Sequence, residues 1–256
     1  KTAYEITYGD WSSDVCSSDL AANTKKWIIA YWHHPPYTMG SHNSDTETEL
    51  VNMRQNFIRI LERYGVDLIL CGHSHDYERS YLLKGYYGNE SSFNAGTHAV
   101  SSSSAKYDGS SNSCPYNTPS GPVNHGTVYV VSGSAGASGT VQAGYPHNAL
   151  PFAYNDGGML YLEVQDNRLD ARFIRKDAVI ADQFTIMKDV ARSNTFNIAS
   201  GQSVTLTASW IGNYSWSTGA TTRSITVSPG STISYTCNDG SAACLTDNFT
   251  VNVSAP

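Results

Sequence analysis

Three histidines stand where a bound cation would need them. The stretch Tyr31-Trp32-His33-His34-Pro35-Pro36-Tyr37 carries the first, and Gly72-His73-Ser74-His75-Asp76-Tyr77-Glu78-Arg79 carries the other two. Neutral imidazole is a common ligand for zinc, iron, manganese or nickel, so three converging copies would make part of a metal shell. A single histidine at a strand end is more often a hydrogen-bonded surface or core residue, with roughly a one-in-ten chance of ligating a metal on residue type alone. The combination changes those odds.

The elements that must position them are readable from the apolar pattern. Trp27 to Trp32 and Asp67 to Cys71 are short, almost wholly apolar runs, which predict buried parallel strands. Between them Leu50, Met53, Phe57, Ile60, Leu61 and Tyr64 recur at a three-to-four spacing. That predicts one helix with a single buried face, opened by a Ser44/Glu47 capping box and stopped by Gly65. The whole is a β-α-β unit, in which ligands gather beyond the carboxyl ends of the strands, where His33 and the His73/His75 pair fall. Gly72 permits a sharp turn at that edge, and an i, i+2 spacing in extended backbone predicts that His73 and His75 point to one side.

These motifs resemble those of the calcineurin-like metallophosphoesterases, and within them the purple acid phosphatase branch, whose late motifs run His-x-Pro-x-Tyr and then Gly-His-x-His-x-Tyr-Glu-Arg. The resemblance reaches to about Val190. It implies an α/β (α+β) metallophosphoesterase sandwich and a binuclear metal centre of iron with zinc, manganese or a second iron. By position, His33 and His73 would be ligands of one metal, His75 a ligand of its neighbour, and His42 the imidazole facing substrate. His34 falls on a position that is not a ligand in the family, so it is expected to pack or hydrogen-bond. Glu78 and Arg79 are expected to brace the loop rather than touch substrate. The implied activity of the intact parent is acid-phosphatase-like hydrolysis of phosphate monoesters. The alternatives are a phosphodiesterase acting on nucleotides or phospholipid head groups, and a non-catalytic secreted binding module.

The Gly-Asp-x-Gly, Gly-Asp-x-x-Tyr and Gly-Asn-His motifs of that family, which supply its aspartates, tyrosinate, asparagine and a further histidine, are absent; Gly9-Asp10 has neither Gly-Asp continuation. The expectation is a catalytic domain truncated at its amino terminus and a chain with little or no activity. The string from Asp10 to Leu20 resembles, codon for codon, one reading frame of a common short-read sequencing adapter and is set aside from fold reasoning. An ordinary Ser/Asp-rich loop is the alternative. On the adapter reading Tyr4 to Tyr8 opens a strand, Ala21 to Lys26 ends a helix, and Cys16 has no redox meaning.

A formal charge of −6 with 16 Lys and Arg leaves no electrostatic footprint for nucleic acid. No apolar run approaches the roughly 20 residues of a membrane helix. The low charged fraction, 17 Tyr and long Ser/Thr/Gly/Asn tracts have the texture of a β-rich bacterial protein, secreted or at the cell surface. Cys71 reads as a buried apolar residue, Cys237 and Cys244 as a disulfide across Asn238-Asp239-Gly240, and Cys114 as unpartnered.

Gly85 to Asn124 is a long polar excursion whose Tyr86, Tyr87 and Tyr107 either contact substrate or are solvated loop aromatics. Strands are predicted at Thr127 to Ser132, Met159 to Val164, Leu169 to Ile174 and Gln183 to Met187. The catalytic portion spans 1–190. Over 191–256, runs from Val204, Ser224, Thr232 and Phe249 alternate apolar with polar residues between turn signals, the pattern of a small antiparallel sandwich. Its Tyr214-Ser215-Trp216-Ser217-Thr218-Gly219-Ala220-Thr221 resembles the immunoglobulin-like modules of secreted bacterial enzymes, which implies a spacer or surface attachment.

Overall fold

A computed structural model describes residues 18–240 and 244–254. The expectations for Tyr4 to Tyr8, Gly9-Asp10, Cys16 and most of the Asp10–Leu20 string lie outside the described residues. Helix persists only through residue 21, so the helical tail predicted for Ala21 to Lys26 is largely turn and coil. In chain order the elements are β1 (Ile29–Trp32), α1 (Thr48–Asn56), α2 (Ile58–Arg63), β2 (Leu68–Cys71), β3 (Tyr77–Leu83), a 3-10 turn at Glu90–Ser92, α3 (Ala95–His98), β4 (Tyr116–Thr118), β5 (Thr127–Ser132), β6 (Phe152–Tyr154), β7 (Gly158–Gln165), β8 (Arg168–Arg175) and β9 (Ile180–Lys188). Six further strands follow: β10 (Ser193–Ala199), β11 (Val204–Thr207), β12 (Ser215–Trp216), β13 (Ser224–Val227), β14 (Ile233–Asn238) and β15 (Thr246–Ser254).

Two compact units divide the chain. One holds the chain up to Ser104 with Pro119–Leu162 and Ala171–Phe184; the other holds Ala105–Thr118, Glu163–Asp170 and the chain from Thr185 onward. The division therefore does not fall at a single point near 190, because β7, β8 and β9 each run through both units.

The first unit is built on a sheet of order β1-β2-β5-β3-β6. β1, β2 and β5 are parallel, and β3 runs antiparallel to both β5 and β6. Leu68, Ile69, Cys71, Val128, Tyr129, Val130 and Val131 are all buried. Fully burying a side chain of this kind contributes about 1.5–3 kcal/mol each, which is why these short runs hold as strands.

The predicted single helix is instead two, broken at Phe57, whose backbone (φ −110, ψ −36) closes the first helix and opens the second. Its inward stripe is Leu50, Arg54, Ile58, Leu61 and Glu62, whereas Met53, Phe57, Ile60 and Tyr64 are only half-buried. Two charged residues are accepted inside because each meets several polar partners. Arg54 donates from Nη1 to the carbonyls of Pro36 (3.1 Å) and Ser44 (2.7 Å), and Glu62 accepts from Gly85 N–H, Tyr87 OH and Tyr129 OH. The Ser44/Glu47 capping box does not form: the Glu47 side chain makes no cap bond, and Ser44 Oγ is used by the backbone of Thr38. Gly65 does end the helical stretch, at φ +71, where a Cβ would lie 2.8 Å from the carbonyl oxygens of Gly121 and Val123.

The polar excursion is tied down rather than open. Tyr86 is buried and stacked on Tyr37 at 5.0 Å, Tyr87 donates to Glu62, and Tyr107 donates to Asp239, so their hydroxyls and rings serve packing.

In the second unit β10, β15, β14 and β12 form one sheet and β11 pairs with β13. The expected strands are present, with one correction: β10 runs parallel to β15, so the arrangement is not wholly antiparallel. The core is Trp210, Trp216, Leu206, Phe249 and Val251. The disulfide also differs from expectation. Cys114 pairs with Cys244, and Cys237 is a buried free thiol, because its position on β14 turns its side chain into the core beside Trp216 and Phe249. Among the described residues no helix is long and apolar enough to cross a membrane.

Two outcomes test this fold. Removing the disulfide by Cys114→Ser should cost about 2–5 kcal/mol in urea unfolding and abolish sensitivity of the midpoint to dithiothreitol; sensitivity abolished by Cys237→Ser and kept in Cys114→Ser would contradict the pairing. Burial, with Arg54 nearby, pushes the His147 imidazole down to about 3. The unfolded chain therefore binds a proton near pH 6.5 that the folded one refuses, so stability is full above that pH and falls as pH drops toward 3. His147→Gln should flatten that acid limb of the urea midpoint against pH; an unchanged limb would refute it.

Candidate metal centre

Trp32 and Cys71 face each other at the ends of β1 and β2, so the next residues, His33 and Gly72, leave the sheet side by side. Gly72 N–H donates to the His33 carbonyl at 3.1 Å. His73 then adopts φ +63, a left-handed conformation that is uncommon outside glycine, and Ser74 N–H closes the turn onto Gly72 O at 2.7 Å. This corrects the expectation of an extended His73-Ser74-His75 strand with both rings on one side. The turn packs against Gly133, where a Cβ would stand 2.2 Å from the Ser74 carbonyl oxygen, so only glycine fits.

The reversal carries His73 to His33. His73 Nδ1 and His33 Nε2 are 3.1 Å apart. His34 completes a near-equilateral triangle of rings: centroid separations are 4.9 Å (His33–His34), 4.8 Å (His34–His73) and 5.0 Å (His33–His73). One ligating atom from each of the three lies within 4.8 Å of the others. On the far side of His73 the His42 ring stacks at 3.7 Å, with His42 Nδ1 2.9 Å and His73 Nε2 3.3 Å from Glu47 Oε2. Glu47, His42 and His73 form a second such set. His75 is exposed and joins neither set; its N–H donates to Ser41 Oγ and its carbonyl accepts from Gly139 N–H.

Electrostatics favour lone pairs facing a cation. Burial lowers the pKa of His33, with His34, His42 and His75 adding to it, so the ring is neutral near pH 7. Burial also lowers the pKa of His73; the bond from Glu47 opposes it, and the His42, His34 and His33 rings add to the lowering. Glu47 is pushed up by burial, but Asn43 N–H, His42 and His73 more than offset this, and its carboxyl is held below the ordinary range. The His33–His73 nitrogen spacing fits a metal: two ligands each about 2.0–2.1 Å from one ion stand roughly 2.8–3.4 Å apart between octahedral and tetrahedral angles.

Glu78 and Arg79 brace this region. Glu78 accepts from Met39 N–H at 3.0 Å and from the Thr38 hydroxyl, anchoring the segment after His34. Burial and then the Asp76 carboxyl raise Glu78 to about 8. Arg79 makes a fully buried pair with Asp182 (Nε–Oδ2 2.6 Å, Nη2–Oδ1 3.0 Å) between the Phe152 and Phe184 rings. Glu47 was missed as a functional residue because its position just before a helix gave it a sufficient capping role; its distance of five residues from His42 is no recognised motif.

Residues 2–77 match the Calcineurin-like phosphoesterase family model. Two uncharacterized proteins of Mycobacterium tuberculosis, MT2654 of strain CDC 1551 and Rv2577 of strain H37Rv, are each 31% identical over 64 residues, 25% of this chain and 12% of theirs. The purple acid phosphatase PPD1 of yellow lupin (Lupinus luteus) seeds has a similar structure, with TM-score 0.51 and 20% identity over 71% of this chain and 29% of its own. That likeness is one of fold, and the chain spans less than a third of the length of each of these relatives.

Replacing Glu47 by Gln should lower the His73 pKa further, because the one contact that raises it loses its charge. Imidazole NMR titration of metal-free protein reads this, and a rise in the His73 pKa would refute the geometry.

Proposed function

We propose that this chain, metallophosphoesterase-like by family match and fold and so part of an enzyme of the phosphatase family, comes from a protein that hydrolyses phosphate monoesters at a binuclear metal centre. The observation carrying the reading is the 3.1 Å approach of His33 Nε2 and His73 Nδ1 at the paired ends of two parallel strands. His33 and His73 would hold one cation and His75 its neighbour, iron with zinc, manganese or a second iron. When bound, such a pair supplies positive charge to the phosphoryl oxygens and a water acidic enough to serve as nucleophile.

The chain's own residues then have defined tasks. With His42 Nδ1 on Glu47, Nε2 is the ring nitrogen left for a phosphate oxygen or a leaving alkoxide. Asn43 N–H holds Glu47 in place at 2.8 Å. Glu78 keeps the Thr38–Met39 segment fixed, so the loop bearing His42 does not drift. The two sets of ligating residues contain only one carboxylate, Glu47, among the described residues. A histidine-rich half-shell of this kind supports little turnover by the chain alone.

The strands after Thr185 we read as an immunoglobulin-like module, a spacer or surface attachment of a secreted bacterial protein. The Cys114–Cys244 disulfide supports that reading, since such bonds persist in oxidising compartments.

Assaying this chain beside a longer homologue that carries the Gly-Asp-x-Gly, Gly-Asp-x-x-Tyr and Gly-Asn-His motifs, on p-nitrophenyl phosphate and bis-p-nitrophenyl phosphate, tests the assignment. The homologue should prefer the monoester, lose activity on replacement of the residue equivalent to His33, and exceed this chain by at least about 100-fold, since a missing ligand set removes several kcal/mol of transition-state stabilisation. Preference for the diester would favour a phosphodiesterase, and no turnover of either ester by the homologue would leave a binding module.

A further inference from the structure

We infer that His34 is a metal ligand of this chain: His33, His34 and His73 together hold one zinc-class divalent cation, with Glu47 fixing the His73 ring from behind. The inference deepens the metallophosphoesterase reading of this site and rests on it for the presence of a resident cation, while assigning a ligand which that reading does not use.

The ring triangle carries the argument. Three imidazoles around one ion, each with nitrogen at about 2.1 Å, have centroids roughly 4.5 to 5.2 Å apart between octahedral and tetrahedral angles. The three observed separations, 4.8, 4.9 and 5.0 Å, all fall inside that interval. Edge-to-face packing of rings spans about 4.5–7 Å, and these three separations cluster in the narrower interval that a shared ion sets, with interplanar angles of 59, 78 and 84°. The backbone of His34 is also held, because Trp32 Nε1 donates to its carbonyl at 2.6 Å and so fixes the bend that brings consecutive histidines to one side. Without that bend, neighbours on an extended strand would face opposite ways.

Glu47 supplies the remaining requirement. A ligating histidine commonly donates its other ring N–H to a carboxylate, which sets the tautomer and the ring orientation. His73 has this arrangement, with Nε2 3.3 Å from Glu47 Oε2 and Nδ1 turned to His33. The proton on Nε2 leaves the Nδ1 lone pair for a cation. Three imidazole nitrogen donors suit zinc or cobalt better than magnesium or calcium, which take oxygen.

Titrating the purified full chain with Zn2+ and with Co2+, and following the visible bands of bound cobalt, tests the site. The parent should bind one ion per chain. His34→Ala should weaken binding about 100-fold or more and Glu47→Gln about 10- to 100-fold, the range known for outer carboxylates, while His98→Ala, in the remote Asn94–Ala99 turn, should bind as the parent does. Equal affinity of His34→Ala and parent, or equal losses in His34→Ala and His98→Ala, would overturn the proposal. Zinc-edge X-ray absorption of the parent protein provides a measure independent of variant folding: three imidazole shells are expected, and two or fewer would also overturn it. Because uptake is read apart from turnover, a chain that binds zinc through three imidazoles and belongs to a protein with no esterase activity would sink the function and keep the site.

Discussion

Four residue pairs, from Ile29 opposite Leu68 to Trp32 opposite Cys71, fix where the site can form. A parallel pair has a single register once its side chains are buried, because a slip of one residue would turn the whole apolar set outward. Ala30, Leu68, Ile69 and Cys71 are buried, so the register is held by the core and not by the loops that follow. Two strands of equal length that end level with one another deliver His33 and Gly72 to a common edge. The turn at His73 then needs only to reverse direction once to bring its ring to His33.

The surrounding loops are held by charges that the interior accepts only because they are engaged. Arg54, Glu62, Arg79 and Asp182 are each 2% exposed or less. Leaving any one without its partner would strand a buried charge, at a cost of roughly 3–5 kcal/mol. Arg79 and Asp182 join β3 to β9, Glu78 joins β3 to the segment after His34, and Arg54 joins α1 to Pro36 and Ser44. Each of these contacts ends on the stretch that carries the histidines or on the strand beside it. The imidazoles, by contrast, are half-buried or exposed, which leaves them open to ligand on a base that cannot easily deform.

Much of this was legible in the chain because burial writes a pattern. The buried run from Asp67 to Cys71 and the alternation in β8, β11 and β13 gave strands within a residue or two, since period and apolarity suffice for them. Other features depend on partners remote in sequence. α1 and α2 bury Arg54 and Glu62 instead of Met53 and Ile60 because backbone carbonyls and tyrosine hydroxyls meet those charges, and a periodicity count cannot see them. β10 lies parallel to β15 across more than 50 residues, and Cys114 reaches Cys244 across 130, both pairings without a local signature. The positive φ of His73 was likewise hidden, as the Gly-His-x-His string reads equally well as an extended strand.

That one dihedral has a chemical consequence. An extended Gly72-to-His75 segment would have pointed the His73 and His75 rings to a common side. The left-handed His73 sends its ring instead toward His33, His34, His42 and Glu47, while His75 remains at the surface. A site assembled this way is rich in nitrogen and poor in oxygen, and donor type governs metal choice: imidazole suits zinc, copper, nickel and iron, whereas manganese and magnesium gain more from carboxylate. Glu47 is already committed to His42 and His73, so a carboxylate that pulled the site toward harder ions would have to be another. Loops of imidazoles alone would favour softer ions, and a carboxylate added to them would adjust that preference without creating it.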